Sequence, residues 1–170
     1  MPHYNKATLV QRSFTFGPGF DLTLHAGERG LAAVTFGGSV STGTTDLLEE
    51  AARQLREWFA GERREFDVPL DLRGTEFQQR VWRELLAIPY GGTRSYLELA
   101  KAVGNVPRAV GQANGSNPVA IIVPCHRVIN HNGGLGGYAG GLALKRWLLD
   151  FERINSRSAG QLSISIDISR

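Results

Sequence analysis

Ser95-Tyr96-Leu97-Glu98-Leu99-Ala100-Lys101-Ala102-Val103-Gly104, continued by Asn105-Val106-Pro107-Arg108-Ala109-Val110-Gly111, is the stretch that decides the fold. Ser95 and Glu98 have the spacing of a capping box, in which each side chain satisfies the other residue's backbone N–H at a helix start. Gly104 closes that helix. Pro107 suits the first position of a further helix, which runs to about Asn114. Upstream, Thr75-Glu76-Phe77-Gln78 repeats the capping-box pattern. Phe77, Val81, Trp82, Leu85 and Leu86 then line one face of a helix that Pro89-Tyr90-Gly91-Gly92 ends. Three short helices joined by tight turns have the pattern of a helix-turn-helix domain.

Downstream, Val119 to Val123 reads as a short apolar strand leading into Pro124-Cys125. His131 to Gly141 carries six glycines and is expected to form a hairpin or wing whose backbone can approach a ligand closely. Leu144, Trp147, Leu148 and Phe151 mark a last helix. Beyond Asn155 the chain is Ser-rich. Leu162, Ile164, Ile166 and Ile168 then alternate with polar residues, which leaves open an edge strand or a disordered end. The first third reads as strands: Ser13 to Phe16, Phe20 to Leu24 and Leu31 to Phe36, separated by Gly17-Pro18-Gly19 and Gly27-Glu28-Arg29-Gly30. A helix follows, with Asp46 as N-cap paired to Glu49 and with Leu47, Leu48, Ala51, Ala52, Leu55, Trp58 and Phe59 at helical spacing. Phe66 to Leu72 is a short extended piece or linker. These signals divide the chain into residues 1–73, an N-terminal α/β unit; 74–154, a C-terminal, mainly helical unit; and a tail, 155–170.

The chain has 170 residues, enough for one large or two small domains. No apolar run approaches the roughly 20 residues of a membrane span, and Met1-Pro2-His3-Tyr4-Asn5-Lys6 has no secretory apolar core. No membrane partner is expected. The expected compartment is the cytoplasm, or the nucleus of a eukaryote. Residues 1–73 hold 8 Lys/Arg against 10 Asp/Glu, net −2; residues 74–170 hold 11 against 6, net +5. The basic half points to a polyanionic partner.

The same half contains the single cysteine, in Ile121-Ile122-Val123-Pro124-Cys125-His126-Arg127-Val128-Ile129. A lone cysteine can form neither an internal disulfide nor a Cys-rich zinc site. His126 and Arg127 are neighbours that can help form and hold a thiolate, so Cys125 reads as a nucleophile; Arg127 itself reads as structural, a buried or bridging arginine that holds domains together. The alternative is a buried core thiol. His3, His25 and His131 have no metal-ligand spacing.

The run Ile121 to Ile129 resembles the active-site signature of the O6-alkylguanine-DNA alkyltransferases, or methylated-DNA–protein-cysteine methyltransferases. Asn117-Pro118 lies upstream at the family's spacing, and Tyr96 sits in its Ser-Tyr pair. Arg108-Ala109-Val110-Gly111 matches the start of the recognition helix, Gly136-Gly137-Tyr138-Ala139-Gly140-Gly141 the active-site loop, and Leu148-Leu149 with Glu152 the last helix. The resemblance covers roughly residues 74–153; before that only the coarse strand-and-helix pattern agrees. It implies an α+β fold, with an N-terminal ribonuclease H-like α/β domain and a C-terminal winged helix-turn-helix-like alkyltransferase domain.

It also implies a chemistry. A monomer meets double-stranded DNA carrying O6-alkylguanine, the damaged base flips out, and Cys125 takes the alkyl group irreversibly, once per molecule. No cofactor and no metal are implied. His126 would be the base, acting through a water, Glu152 its orienter, and Asn117 the brace of the active-site turn. Tyr96 would donate a proton to the guanine ring nitrogen and crowd the 3′ phosphate. The carbonyls of Cys125 and Val128 would accept from the exocyclic amine. The Ala139 N–H would donate to the guanine oxygen, with Tyr138 and Gly140 in the same substrate loop. Arg108, on the helix that begins Arg108-Ala109-Val110-Gly111, would fill the space left by the flipped base. Position 139 is alanine where many relatives have serine, and position 120 is alanine where some have proline. Two rival functions use the same residues: a DNA-binding regulator with Cys125 as sensor, and a thiol hydrolase. Turnover separates the hydrolase, which makes many products per molecule.

Overall fold

The structure, a computed structural model, describes the backbone of residues 9–167 and the side chains of residues 9–158. The expectations on residues 1–6 and on Ile168 lie outside the described residues. The first unit is an antiparallel meander, β1 (Val10–Phe16), β2 (Phe20–Ala26) and β3 (Leu31–Phe36), in that spatial order. Alternation sends Leu22, Leu24, Phe14 and Phe16 to one face. Helix α1 (Asp46–Phe59) covers that face with Leu48, Ala51, Ala52, Leu55, Trp58 and Phe59. Its N-cap is Thr45, not Asp46: the Thr45 hydroxyl accepts from the Leu48 N–H at 3.2 Å. Asp46 instead occupies the first turn, where its charge faces the positive end of the helix dipole.

The second unit packs α2 (Glu76–Leu86), α3 (Tyr96–Val103) and α4 (Pro107–Gly115) as a helix-turn-helix group. Both expected capping boxes form, Thr75 with Gln78 and Ser95 with Glu98. Gly104 takes the left-handed conformation, φ +66°, that a side chain would oppose. Leu86 departs from the expected buried face and is 46% exposed. The helix ends there, and Ile88, 1% exposed, fills the core instead. Two short parallel strands, β4 (Arg94–Ser95) and β5 (Val128–Ile129), close the unit.

Val119 to Val123 is a turn rather than a strand. Val119 makes one parallel bridge to Val34, and Ile122 and Val123 donate back to the carbonyls of Ala120 and Val119 at 2.8 and 3.0 Å. The turn is apolar because it is buried between both units, so its composition mimics a core strand. The stretch 131–141 forms no paired strands; it is a loop held by a side chain from the last helix. That helix, α5, runs Leu142–Asp167, through the segment whose alternation left a strand open. A helix already nucleated gains one hydrogen bond for each residue added.

The two units share one core. β3 is bonded on both sides of its ladder partner's reach: Leu31 donates to the Pro69 carbonyl at 2.8 Å and Val34 to that of Pro118 at 2.9 Å. Trp58 and Phe59 of α1 and Phe20 of β2 meet Trp147 and Phe151 of α5; Trp147 stacks on Phe151 at 4.9 Å and Phe20 edges onto Trp147 at 4.9 Å. No helix among the described residues is long and apolar enough to cross a membrane.

Candidate active site

Cys125 begins a single 3-10 turn, Cys125–Arg127, placed by the buried turn before it. Asn117 fixes that turn from below: its amide donates to the Val123 carbonyl at 2.8 Å and its oxygen accepts from the Val119 N–H at 3.0 Å. Asn114, at the end of α4, donates to the Cys125 carbonyl at 3.4 Å. One residue in the turn is strained. Ile121 has φ +69°, a conformation costly for a β-branched side chain, and it is 1% exposed, so packing holds it there.

His126 and Arg127 are expected to help form and hold a thiolate, while burial of Cys125 at rest favours the thiol. Burial pushes its pKa up; the Asn117 amide, the Lys145 charge and the N–H groups of Cys125 and His126 oppose this only in part. Arg127 is committed elsewhere. Its Nε and Nη2 donate to Glu152 at 2.7–3.1 Å and its Nη1 to the Ile88 carbonyl at 2.7 Å. His126 is fully buried, its pKa lowered by burial against the raising effect of Glu152. Its Nε2 donates to Glu152 Oε1 at 2.9 Å, which fixes the tautomer and leaves Nδ1 as a lone pair without a partner. Burial alone would raise the Glu152 pKa, but the hydrogen bonds and charges of His126 and Arg127 hold it at about 2. The resting site is thus a thiol beside a neutral imidazole backed by a carboxylate.

A cavity of about 510 Å³ opens onto Cys125. Tyr96 from α3, Arg108 and Gly111 from α4, Asn117, and Tyr138 and Ala139 from the loop line it together. Arg108 is exposed near the start of α4. The Tyr96 hydroxyl is kept protonated, its pKa raised by burial and by the nearby Cys125. Tyr138 is likewise raised by burial and by Cys125; its buried hydroxyl makes no hydrogen bond of ordinary geometry. Gly136, φ +70°, lets the loop pass against Tyr96: a Cβ there would lie 2.9 Å from the Tyr96 ring.

Three expected residues lie apart from this lining. Gly140 packs against Leu144 and Phe36, Ala109 lies over a groove with Thr75 and Gln112, and the Val128 carbonyl accepts from Lys145 at 2.6 Å. His126 and Glu152 sit behind Cys125, outside the cavity. His25 lies against Thr35 of β3 and His131 is exposed, both away from the cavity. Among the described residues no three His, Cys, Asp or Glu side chains gather as a metal site would require.

Sequence reasoning missed Lys145, Asn114 and Phe36. Lys145 is fully buried, its pKa lowered to about 8 by burial. It donates to the carbonyls of Val128, Leu135 and Gly137, so one ammonium ties β5 to two points of the loop. The available signal was its register: Lys145, Leu148 and Glu152 share one face of α5, and all three are fully buried.

Two family models match the chain: the ribonuclease-like domain of 6-O-methylguanine DNA methyltransferase over residues 17–72, and the DNA binding domain of 6-O-methylguanine DNA methyltransferase over residues 76–154. The methylated-DNA–protein-cysteine methyltransferase of Mycobacterium tuberculosis (strain ATCC 25618 / H37Rv) is 60% identical over 116 residues, 67% of this chain and 69% of that protein. That of Methanosarcina acetivorans is 58% identical over 109 residues, 63% of this chain and 70% of that protein. Among solved structures, Mycobacterium tuberculosis OGT in complex with DNA superposes with a TM-score of 0.77 and 50% identity, over 85% of this chain and 93% of the other.

Proposed function

The chain belongs to the methylated-DNA–protein-cysteine methyltransferase family, and from that premise we propose how its own residues carry out the reaction. The protein performs direct DNA repair by transferring an alkyl group to cysteine, as a transferase that acts once per molecule. One observation carries the assignment of residues: a buried thiol lies at the wall of the cavity that has the exposed Arg108 of a helix-turn-helix motif among its lining residues.

In our reading, Arg108 enters the duplex as the damaged guanine flips into the cavity, offsetting an unstacking cost of about a few kcal/mol. The Cys125 proton passes, through a water, to the free Nδ1 of His126; Glu152 stabilises the imidazolium from Nε2. The sulfur then forms a bond to the alkyl carbon, and the carbon–O6 bond breaks with its electron pair going to the guanine. Tyr96, held neutral, gives its proton to the guanine ring nitrogen, and the proton held on His126 returns through water to reprotonate Tyr96, so that the thiol's proton is balanced by the one on the guanine. The products are guanine and a thioether, which has no ready leaving group, so the protein is spent. The Ala139 N–H and Tyr138 of the loop, with the Cys125 carbonyl, face the flipped base, and Gly111 faces the DNA; Val128, Gly140 and Ala109, which lie apart from the cavity lining, support these elements from behind. Lys145 is a positioning residue, because it fixes the Val128 carbonyl and the loop together. The cytoplasm is the compartment that suits this activity.

The test is intact-protein mass after incubation with duplex DNA carrying O6-methylguanine. The expected result is a gain of one methyl group on Cys125 and none in Cys125→Ala, with DNA binding by the variant nearly intact. Methylation of the variant, or product released beyond one equivalent per protein, would overturn the assignment.

A further inference from the structure

The cavity beside Cys125 takes one of its walls from the other unit. Phe36 is the last residue of β3 and lines the cavity, although every other lining residue comes from beyond residue 95. Its position is fixed by backbone bonds. It pairs with Leu22, and Val34, two residues back on the same face, donates to the Pro118 carbonyl at 2.9 Å, directly before the turn that carries Cys125. The chain then turns at Gly37 and Gly38, where the Thr23 hydroxyl donates to the Gly37 carbonyl at 2.8 Å and Gly37 donates to Asp21 at 2.7 Å. The Phe36 ring meets the Tyr138 ring edge-on, at 5.7 Å and 64°. The Tyr138 hydroxyl end lies near Cys125. Tyr138 therefore touches both, its hydroxyl end toward Cys125 and its ring against Phe36.

We propose that Phe36 is a specificity-determining residue that selects for large, flat alkyl groups. This rests on the alkyl-transfer reading above. A methyl on its way to sulfur is too short to reach past Tyr138. A benzyl group extends one ring further and would meet the Phe36 face, gaining an aromatic contact that methyl cannot make. The half-buried setting of Phe36 leaves surface for that contact.

The experiment uses the full chain and one duplex sequence carrying either O6-methylguanine or O6-benzylguanine, so that DNA contacts cancel. Alkylation rates of wild type, Phe36→Ala and Phe36→Leu are read by intact mass. Leucine keeps most of the volume without the ring, and carries the measurement if alanine fails to fold. The benzyl-to-methyl rate ratio should fall about tenfold in the ring-less variants, while the methyl rate stays within about twofold. An unchanged or raised ratio, or both rates falling together, would overturn the inference. No alkylation of wild type by either duplex would instead overturn the underlying reading of the reaction.

Discussion

Glu152 accepts from His126 on one oxygen and from Arg127 on both, in a place that water does not reach. Such a pair costs desolvation, and good geometry with full hydrogen bonding is what offsets it. Acid should therefore undo the site first. The Glu152 pKa is about 2 when folded against 4.5 for the free side chain, so its contribution is fully present above pH 4.5 and is lost as pH falls toward 2. That contribution is on the order of 3 kcal/mol. His126, lowered by burial, acts in the same direction: folding holds it neutral, and stability declines as pH drops below 6.5. Glu152→Gln should cost about 3–5 kcal/mol at pH 7 by leaving Arg127 unpaired, and its urea midpoint should fall less than that of wild type between pH 5 and 3. Parallel curves through that window would show that another group governs acid stability. At this scale the adjacency of Cys125, His126 and Arg127 was legible, and the family resemblance supplied Glu152 as the partner of His126, but not the bonds of Glu152 to Arg127. Arg127 reads as a structural, buried or bridging arginine, but only the fold shows that Glu152, 25 residues on, and the Ile88 carbonyl hold it. Lys145 carried a signal only in its register with Leu148 and Glu152; its three carbonyl partners leave no local pattern.

The helix proposed to meet DNA, α4, is short, nine residues, and presents Arg108 from an end whose N-cap, Val106, makes no side-chain cap. Its first N–H groups are left for solvent or for a phosphate. Arg108→Ala should slow repair of duplex DNA at least tenfold while leaving reaction with free O6-benzylguanine nearly unchanged, since a free base needs no flipping. Equal losses on both substrates, measured as single-turnover rates, would make Arg108 part of the fold instead. The helices of this unit were legible because their starts are encoded locally, in Thr75 with Gln78 and in Ser95 with Glu98. The Val119–Val123 turn was not, because its apolar character records burial from two sides rather than the period of any element. Thr45 was passed over for Asp46 since both residue types cap well, and only the backbone conformation, extended at Thr45, separates them.

The whole molecule has one core drawn from both units, and β3 is hydrogen-bonded to the segments around Pro69 and Pro118 as well as to β2. Two families of signals in the chain, strands before residue 73 and helices after, gave no hint of this, because contacts between distant segments leave no local pattern. The shared core should make unfolding one event. Calorimetry should give a single transition with equal calorimetric and van't Hoff enthalpies. Trp58→Ala, which empties a fully buried site of α1, should destabilise by about 3–5 kcal/mol and lower that one midpoint without splitting it. Two resolved transitions would mean that the units fold separately. The placement of Trp58 has a further consequence, and it is optical. Its indole stands edge-on to the His126 imidazole with ring centres 6.4 Å apart. A charged imidazole quenches a neighbouring indole, so the emission of this one tryptophan dims while His126 carries a proton and brightens when it is released. Under the proposed route, in which the proton that leaves Cys125 rests on His126, the protein would carry its own photometer for that proton's fate.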